Sequence, residues 1–353
     1  MIFLGDVAHP FPSRPVWMAS TMPWDVANAV VINLEGPVVR TTEPYTSKKI
    51  IFNHESLFSN NSLFGVRAAC LANNHVTDVG GGVCATRRFL HTIGISSFGA
   101  GNNLGEALEP AEVHEDGHAV ALLGFGWKTI QCKIATAELA GVAPLDPETM
   151  FAALARIVDA GDDREVIVQV HWNYEMEGAP QPAHRQLAMA LIDRGAAAIV
   201  GHHPHCASGV EIYRGKPIVY SLGNWWMPQG VYLNGQLSYG PESRLQLAFE
   251  WHPAGRFRCH WFNYSPADHS ISWVSSEEVE SSRYVNELTP YAGMDHAAYR
   301  SWFRSHRRKR KLLPIYSDMG KRRSNRLKDI WVEVRHAGVV QLKRISSVRA
   351  SRR

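Results

Sequence analysis

Through the first 225 positions, short apolar runs repeatedly give way to polar residues. Ile2-Phe3-Leu4 leads into Gly5-Asp6, Val30-Val31-Ile32 into Asn33, and residues 68–72 into Asn73-Asn74-His75. Residues 166–170 lead into His171, and 196–200 into Gly201-His202-His203. Runs of three to five apolar residues rich in Val, Ile and Ala predict strands buried on both faces, since neither side is spaced out with polar residues. Between them the pattern predicts helices over 82–92, 147–160 and 180–194. In the last of these, Leu187, Leu191 and Ile192 form one inward stripe, and Pro180 and Pro182 suit a first turn. Strand-helix alternation of this kind predicts a mainly parallel sheet with helices outside it.

The grammar changes near 112–126. Residues 111–114, then Glu115-Asp116-Gly117, then 119–125 read as a hairpin closed by a glycine-containing turn. The pairing of 210–213 with 217–222 around Arg214-Gly215-Lys216 reads the same way, and 244–251 and 256–264 alternate as antiparallel strands do. The expectation is a mixed β-sandwich flanked by helices. Near the C-terminus, 332–334 and 339–342 are expected to pair as a last hairpin around Gly338.

Composition narrows the class. With 45% hydrophobic and 20% charged residues, a 353-residue chain can bury a core without cross-links. Cys70, Cys84, Cys132, Cys206 and Cys259 are odd in number and never spaced as CxxC, which argues against a disulfide framework and a thiolate zinc site. No stretch reaches the roughly 18 apolar residues of a membrane span, and no secretory signal is visible, so a cytoplasmic or peripheral membrane location is expected. Charge is uneven: from Arg300 onward there are 18 Lys and Arg against three acids, whereas the preceding 299 residues hold 19 basic and 30 acidic side chains. Two regions are expected, residues 1–265 as the main domain and 266–353 as a basic, partly structured extension.

The candidate chemistry sits at the predicted strand ends, where ligands of open α/β sheets bind. Five strands end in Asp6, Asn33-Leu34-Glu35, Asn73-Asn74-His75, His171 and His202-His203-Pro204-His205. Carboxylate, amide and imidazole groups are donors that Zn, Mn and Fe accept, and there are enough of them for two ions. Asp6 or Glu35 is placed to bridge such a pair. Asn33 and Glu35, two apart on a strand end, leave from the same face, so Asn33 is either a ligand or a hydrogen-bonding neighbour. Each element alone has a plain alternative: Gly-Asp at a turn, Asn74 as a helix cap, His171 as a packed ring. Three histidines in four residues after an apolar run have little structural use.

Taken together, these residues resemble the capsule-synthesis CapA family associated with poly-γ-glutamate, related to the calcineurin-like metallophosphatases. The motifs that carry the resemblance are Gly5-Asp6-Val7, Asn33-Leu34-Glu35-Gly36-Pro37, Asn73-Asn74-His75 with Asp78, and Gly99-Ala100-Gly101. Further along come His171-Trp172 with Glu175, Gly201-His202-His203-Pro204-His205, and Tyr220-Ser221-Leu222-Gly223-Asn224. The resemblance covers about 1–226 and implies a four-layer α/β/β/α metallophosphatase-like sandwich with a basic C-terminal extension. It further implies that Asp6, Asn74 and His171 are ligands, with Glu35 or Asn33 bridging and His203 and His205 completing the shells around two divalent ions (Mn, Fe or Zn). His75 then stands as general acid or transition-state donor. His202, Glu175 and Asn224 are expected near the substrate or behind the ligands. His9 resembles an additional ligand, although its spacing from Asp6 is one residue too long.

The function expected is a metal-dependent hydrolase cleaving a phosphoester or amide bond of an anionic substrate or polymer, linked to capsule and poly-γ-glutamate synthesis. The competing reading is a non-catalytic accessory that binds such a polymer during its synthesis or export. The basic stretches 304–311 and 321–323 suit a polyanion or an acidic membrane surface. No nucleic-acid recognition motif is present. Specificity is expected in the loops 41–55 and 225–242, whose composition discloses little.

Overall fold

The computed structural model describes residues 1–13, 22–25, 27–41, 50–61, 65–161, 163–308 and 313–350, with backbone alone at 60, 61 and 339–350. Four strands of its N-terminal third, β1 (Ile2–Val7), β2 (Val30–Leu34), β3 (Val66–Cys70) and β4 (Ser96–Phe98), lie parallel and adjacent in that order. α1 (Gly82–Thr92) lies between β3 and β4 in sequence. The hairpin of β5 (Ala111–Glu115) and β6 (His118–Gly126) follows, then α2 (Pro147–Val158), β7 (Glu165–His171), α3 (Pro182–Ile192) and β8 (Ala196–His202). β9 (Val210–Tyr213) and β10 (Lys216–Val219) form a second hairpin. β11 (Asn224–Trp226), β12 (Leu245–His252), β13 (Arg256–Tyr264) and β14 (Ile271–Glu278) complete the strands that position the site.

Two sheets result. One has the order β14-β13-β12-β1-β2-β3-β4, with β11 also pairing β1, and the other has the order β9-β10-β8-β7-β6-β5. They pack face to face through β1 against β8, β3 against β5 and β4 against β6. α1 covers the first sheet, and α2 and α3 cover the second. This is the four-layer α/β/β/α sandwich expected from the resemblance. The central strands β1, β2 and β8 are buried at every position, as their unbroken apolar runs require.

Local chemistry explains the boundaries. The β5–β6 turn places Asp116 at φ 49° and Gly117 at φ 80°, and the β9–β10 turn places Arg214 at φ 50° and Gly215 at φ 73°. Two consecutive positive φ values match the right-handed twist of the strands they join, which explains the Asp-Gly and Arg-Gly pairs. Asp146 caps α2, its side chain accepting from the Thr149 amide at 3.1 Å, and Pro147 follows in the first turn. The stripe of Leu187, Leu191 and Ile192 is buried as expected. The helices expected over 147–160 and 180–194 are two or more residues shorter, and the strand expected at 68–72 lies at Val66–Cys70, in register with β2 from Val30↔Val66.

The expected C-terminal hairpin does not form. Residues 332–334 and 339–342 belong to one continuous helix, α5 (Arg322–Ala350), preceded by α4 (His296–His306). A lone Gly338 costs a helix only about 1 kcal/mol, and the surrounding Arg, Lys, Leu and Gln favour it. Helical spacing also brings Asn325, Asp329 and His336 onto one side, where Asp329 accepts from Thr129 Oγ1 at 2.8 Å and from Tyr316 Oη at 2.6 Å. Much of the basic region is therefore folded onto the body. Tyr299, Phe303 and Tyr316 are buried, and Tyr299 Oη donates to the Pro180 carbonyl at 2.6 Å. Within the 304–311 run, Arg307 is buried rather than solvated, and 309–311 lie outside the described residues. Residues 42–49 of the first expected specificity loop likewise lie outside them. All five cysteines are free thiols, and among the described residues no helix is long and apolar enough to cross a membrane.

Candidate metal centre

The facing sheets aim their carboxyl ends at one place. Asp6 comes from β1, whose approach is so close that a Cβ on Gly5 would meet the Gly223 carbonyl at 2.2 Å. Asn33 and Glu35 come from the end of β2, Asn74 and His75 from the turn after β3, His171 from the end of β7, and His202, His203 and His205 from the end of β8. Asp6, Asn33 and Glu35 are fully buried.

The hydrogen bonds orient each group. Asp6 Oδ1 accepts from Asn33 Nδ2 at 2.8 Å and from His202 Nδ1 at 3.2 Å, while Oδ2 accepts from the His203 amide at 3.3 Å. Gln169 Nε2 donates to His202 Nε2 at 2.8 Å, which fixes the proton of His202 on Nδ1 and turns that ring toward holding Asp6. His205 Nδ1 lies 2.8 Å from Asn224 Oδ1 and 3.3 Å from Asp6 Oδ2, leaving its Nε2 directed at Glu35 Oε1, 3.8 Å away. His171 Nε2 donates to Asn74 Oδ1 at 2.8 Å, and the His171 and His203 rings lie 4.8 Å apart. His75 Nδ1 donates to Asp78 Oδ2 at 2.7 Å, so its Nε2 faces Glu35 Oε1 at 3.8 Å.

Burial and charge set the protonation pattern. Burial pushes the Glu35 carboxyl up to about 7, since taking it out of water penalises the anion. Burial acts on Asp6 in the same direction, but hydrogen bonds from His202 and His205 outweigh it and hold Asp6 well below the usual carboxylate range. For His205 burial opposes the charged form, yet Glu35 and Asp6 raise it to about 10. Burial keeps His203 neutral down to about 3 and holds His171 well below the usual imidazole range. On His75 the hydrogen bond and charge of Asp78 override burial and move it upward.

The donor set fits a cation. Among the described residues, neither oxygen of Glu35 accepts a hydrogen bond, and His171 Nδ1, His203 Nδ1 and Asn33 Oδ1 are also buried without one. Buried polar atoms are almost always bonded, and a buried carboxylate left without partners costs several kcal/mol. Donor atoms of Asp6, Glu35 and His205 lie within 4.8 Å of one another. His203 and His205 hold positive φ values of 94° and 56°, backbone strain of the kind concentrated where side chains must be aimed.

The other expected residues lie further out. Asn224 backs His205, and Asp6 and Asn224 are register partners between β1 and β11. Glu175 is exposed and lines the mouth of a cleft of about 1290 Å³ together with Asn74 and His203. His9 is buried to the side, its Nδ1 accepting from the Trp226 indole at 3.1 Å and its Nε2 lying 2.8 Å from the Ser13 carbonyl. Sequence reasoning passed over two contributors, Gln169 and Tyr239, which stacks on His205 at 4.5 Å, and it named Asp78 without its role as the partner of His75. Gln169 stands two residues before His171 on one strand, and so on the same face, a spacing legible in advance. Tyr239 comes from a long loop and carries no such signal.

With this geometry in view, comparison with known proteins adds the lineage. The capsule biosynthesis protein CapA of Bacillus anthracis is 35% identical over 163 residues, covering 45% of this chain and 40% of its own. The PGA biosynthesis protein CapA of Bacillus subtilis (strain 168) is 37% identical over 161 residues, covering 45% of this chain and 42% of its own. The matched part is thus less than half the length of these curated relatives. Among solved structures, a 5′-nucleotidase precursor from Thermus thermophilus matches 60% of this chain and 38% of its own at 16% identity and a TM-score of 0.30. The family described as "Bacterial capsule synthesis protein PGA_cap" matches residues 5–229, a span that contains every residue of the centre from Asp6 to Asn224. Spanning more than half of the sequence, that match makes the chain a member of the bacterial capsule synthesis protein family.

Proposed function

We propose that the centre is a hydrolytic site for two divalent cations, acting on a phosphoester or amide bond of an anionic substrate connected with capsule or poly-glutamate synthesis. The observation that carries this reading is Glu35: a fully buried carboxylate whose two oxygens have no hydrogen-bond partner among the described residues, beside Asp6 and His205. Asp6, Glu35, Asn74, His171, His203 and His205 would hold the ions, and Asn33 would steady Asp6. When bound, such ions lower the pKa of water and neutralise developing oxyanion charge. Binding would keep Glu35 ionised despite its burial.

The chain's own residues supply the rest. His202, locked by Gln169, and Asn224, on His205, keep ligand rings and carboxylates from turning. His75 is the proton donor to the leaving group. Asp78 holds its Nδ1 and favours its protonated form, and its side chain is 26% exposed, so it reaches substrate and solvent. The cleft beside Asn74, Glu175 and His203 offers room for a substrate larger than a single phosphate.

The test joins metal content with turnover. Purified chain loaded with Mn²⁺ is expected to retain close to two equivalents after gel filtration and to hydrolyse a generic phosphoester or a poly-γ-glutamate oligomer. Asp6→Ala and His203→Ala are expected to lose at least one equivalent and at least about a hundredfold in rate. Full metal content in both variants would discard the ligand assignment. Full metal in the parent chain with no turnover of either substrate would favour a binding role instead.

A further inference from the structure

α5 turns an apolar face away from the body. Leu327 is 71% exposed, Val334 62%, Trp331 51% and Ile330 47%. At 3.6 residues per turn these four lie within one arc of about 100°. The opposite side carries the contacts with the fold: Asp329 with Thr129 and Tyr316, His336 Nδ1 with Gln131 Nε2 at 3.2 Å, and Asn325 Nδ2 donating to the Asp318 carbonyl at 2.8 Å. Docking of the helix therefore leaves its apolar stripe outward, where an isolated soluble protein gains nothing from it.

The charge of the helix identifies what covers the stripe. Its 29 residues contain eight Lys and Arg against Asp329 and Glu333. Arg323 and Arg326 are exposed and lie on or beside the stripe, with half-buried Lys328 and Arg335 on its other flank. A second copy of this helix would set like charges against each other, with too few acids to answer them. An anionic lipid surface answers the cations and accepts Leu, Trp and Val at the boundary of headgroups and acyl chains.

We propose that α5 is a membrane-surface helix, lying along an anionic bilayer with Leu327, Ile330, Trp331 and Val334 inserted and its Arg and Lys side chains reaching the headgroups. At 29 residues the helix is about 44 Å long and lies in the plane of the interface rather than crossing it. The same helix forms one wall of the cleft beside the metal centre, so attachment sets the cleft mouth next to the lipid. This assignment does not depend on what the centre hydrolyses.

The experiment is vesicle flotation with the full chain, using phosphatidylcholine vesicles with and without 30 mol% phosphatidylglycerol. Binding is expected to the anionic vesicles only, and the double substitution Leu327→Gln, Val334→Gln is expected to lower the apparent partition constant at least tenfold. Both positions are exposed, so the melting temperature is expected to stay unchanged, which separates lost attachment from lost fold. Three results overturn the proposal. One is equal or absent binding to both vesicle types. Another is binding that the double substitution leaves intact, which would reduce the contact to charge alone. The third is a dimer of the parent chain, seen by sedimentation, that the same substitution dissolves, which would assign the stripe to a second copy.

Discussion

His184 shows how one buried side chain can govern acid stability. Its ring stacks on Trp172 at 5.1 Å and meets the edge of Trp127 at 4.6 Å, and neither ring nitrogen has a hydrogen-bond partner among the described residues. Burial alone lowers it from 6.5 to about 3. The unfolded chain takes up a proton near 6.5, whereas the folded chain does not until about 3. Stability from this residue is therefore complete above about 6.5 and falls as pH drops toward 3, by up to ~1.4 kcal/mol per pH unit. His184→Phe, which keeps the stack, is expected to flatten urea-unfolding stability between pH 6 and 4; an unchanged slope would count against the assignment. His75 calls for a different measurement. His75→Asn is expected to lower the rate by roughly 10² to 10⁴ with bound metal unchanged, and loss of metal would instead make His75 a ligand. At this scale much was legible, because Asp6, Glu35, Asn74, His171, His203 and His205 each follow an apolar run and strand ends converge by topology. Gln169 was not read although its spacing from His171 placed it on the same face, and Tyr239 was not because its contact with His205 comes from a long loop that no local pattern announces.

Two of the strands that reach the centre, β1 and β8, make their closest backbone approaches at glycines, Gly5 and Gly201. A Cβ on Gly201 would meet the Tyr220 carbonyl at 2.1 Å and the Trp172 indole nitrogen at 2.7 Å, so β8 can neighbour β10 there only as glycine. Gly201→Ala is expected to cost ~2 kcal/mol or more in urea unfolding, through forced displacement of backbone. Gly215→Ala is the control: nothing lies within 4 Å of its Cβ, and its φ of 73° alone is expected to cost about 1 kcal/mol. If the two substitutions cost the same, close packing at β8 is not what the glycine serves. The two hairpins and the helix stripe were readable because period and turn chemistry agree. The C-terminal segment was misread because Val332 and Val334 with Val339 and Val340 around Gly338 match a strand pattern locally. Contacts from Asp329 and His336 to distant turns decide for a helix.

On the scale of the molecule, residues outside the family match complete the architecture. β14 extends the eight-stranded sheet, Arg185 holds Glu211 at 2.6 and 2.7 Å while donating to the Met294 carbonyl at 2.9 Å, and α5 closes one side of the cleft. Asp329 anchors that closure through two hydroxyl donors, and leaving those unpaired costs about 1–3 kcal/mol. Asp329→Ala is therefore expected to speed amide hydrogen exchange across 322–336 by about tenfold or more, with the central strands unaffected. Exchange that stays slow there would mean that Asp329 does not anchor the helix.

The strained turn at the end of β8 carries a thermodynamic consequence. His203 and His205, on either side of Pro204, already occupy left-handed conformations that histidine seldom adopts. Their rings are thus arranged while the polypeptide folds, and the loss of freedom is met by the surrounding sheets. A cation bound there would meet imidazoles already arranged, at little further cost in conformational freedom.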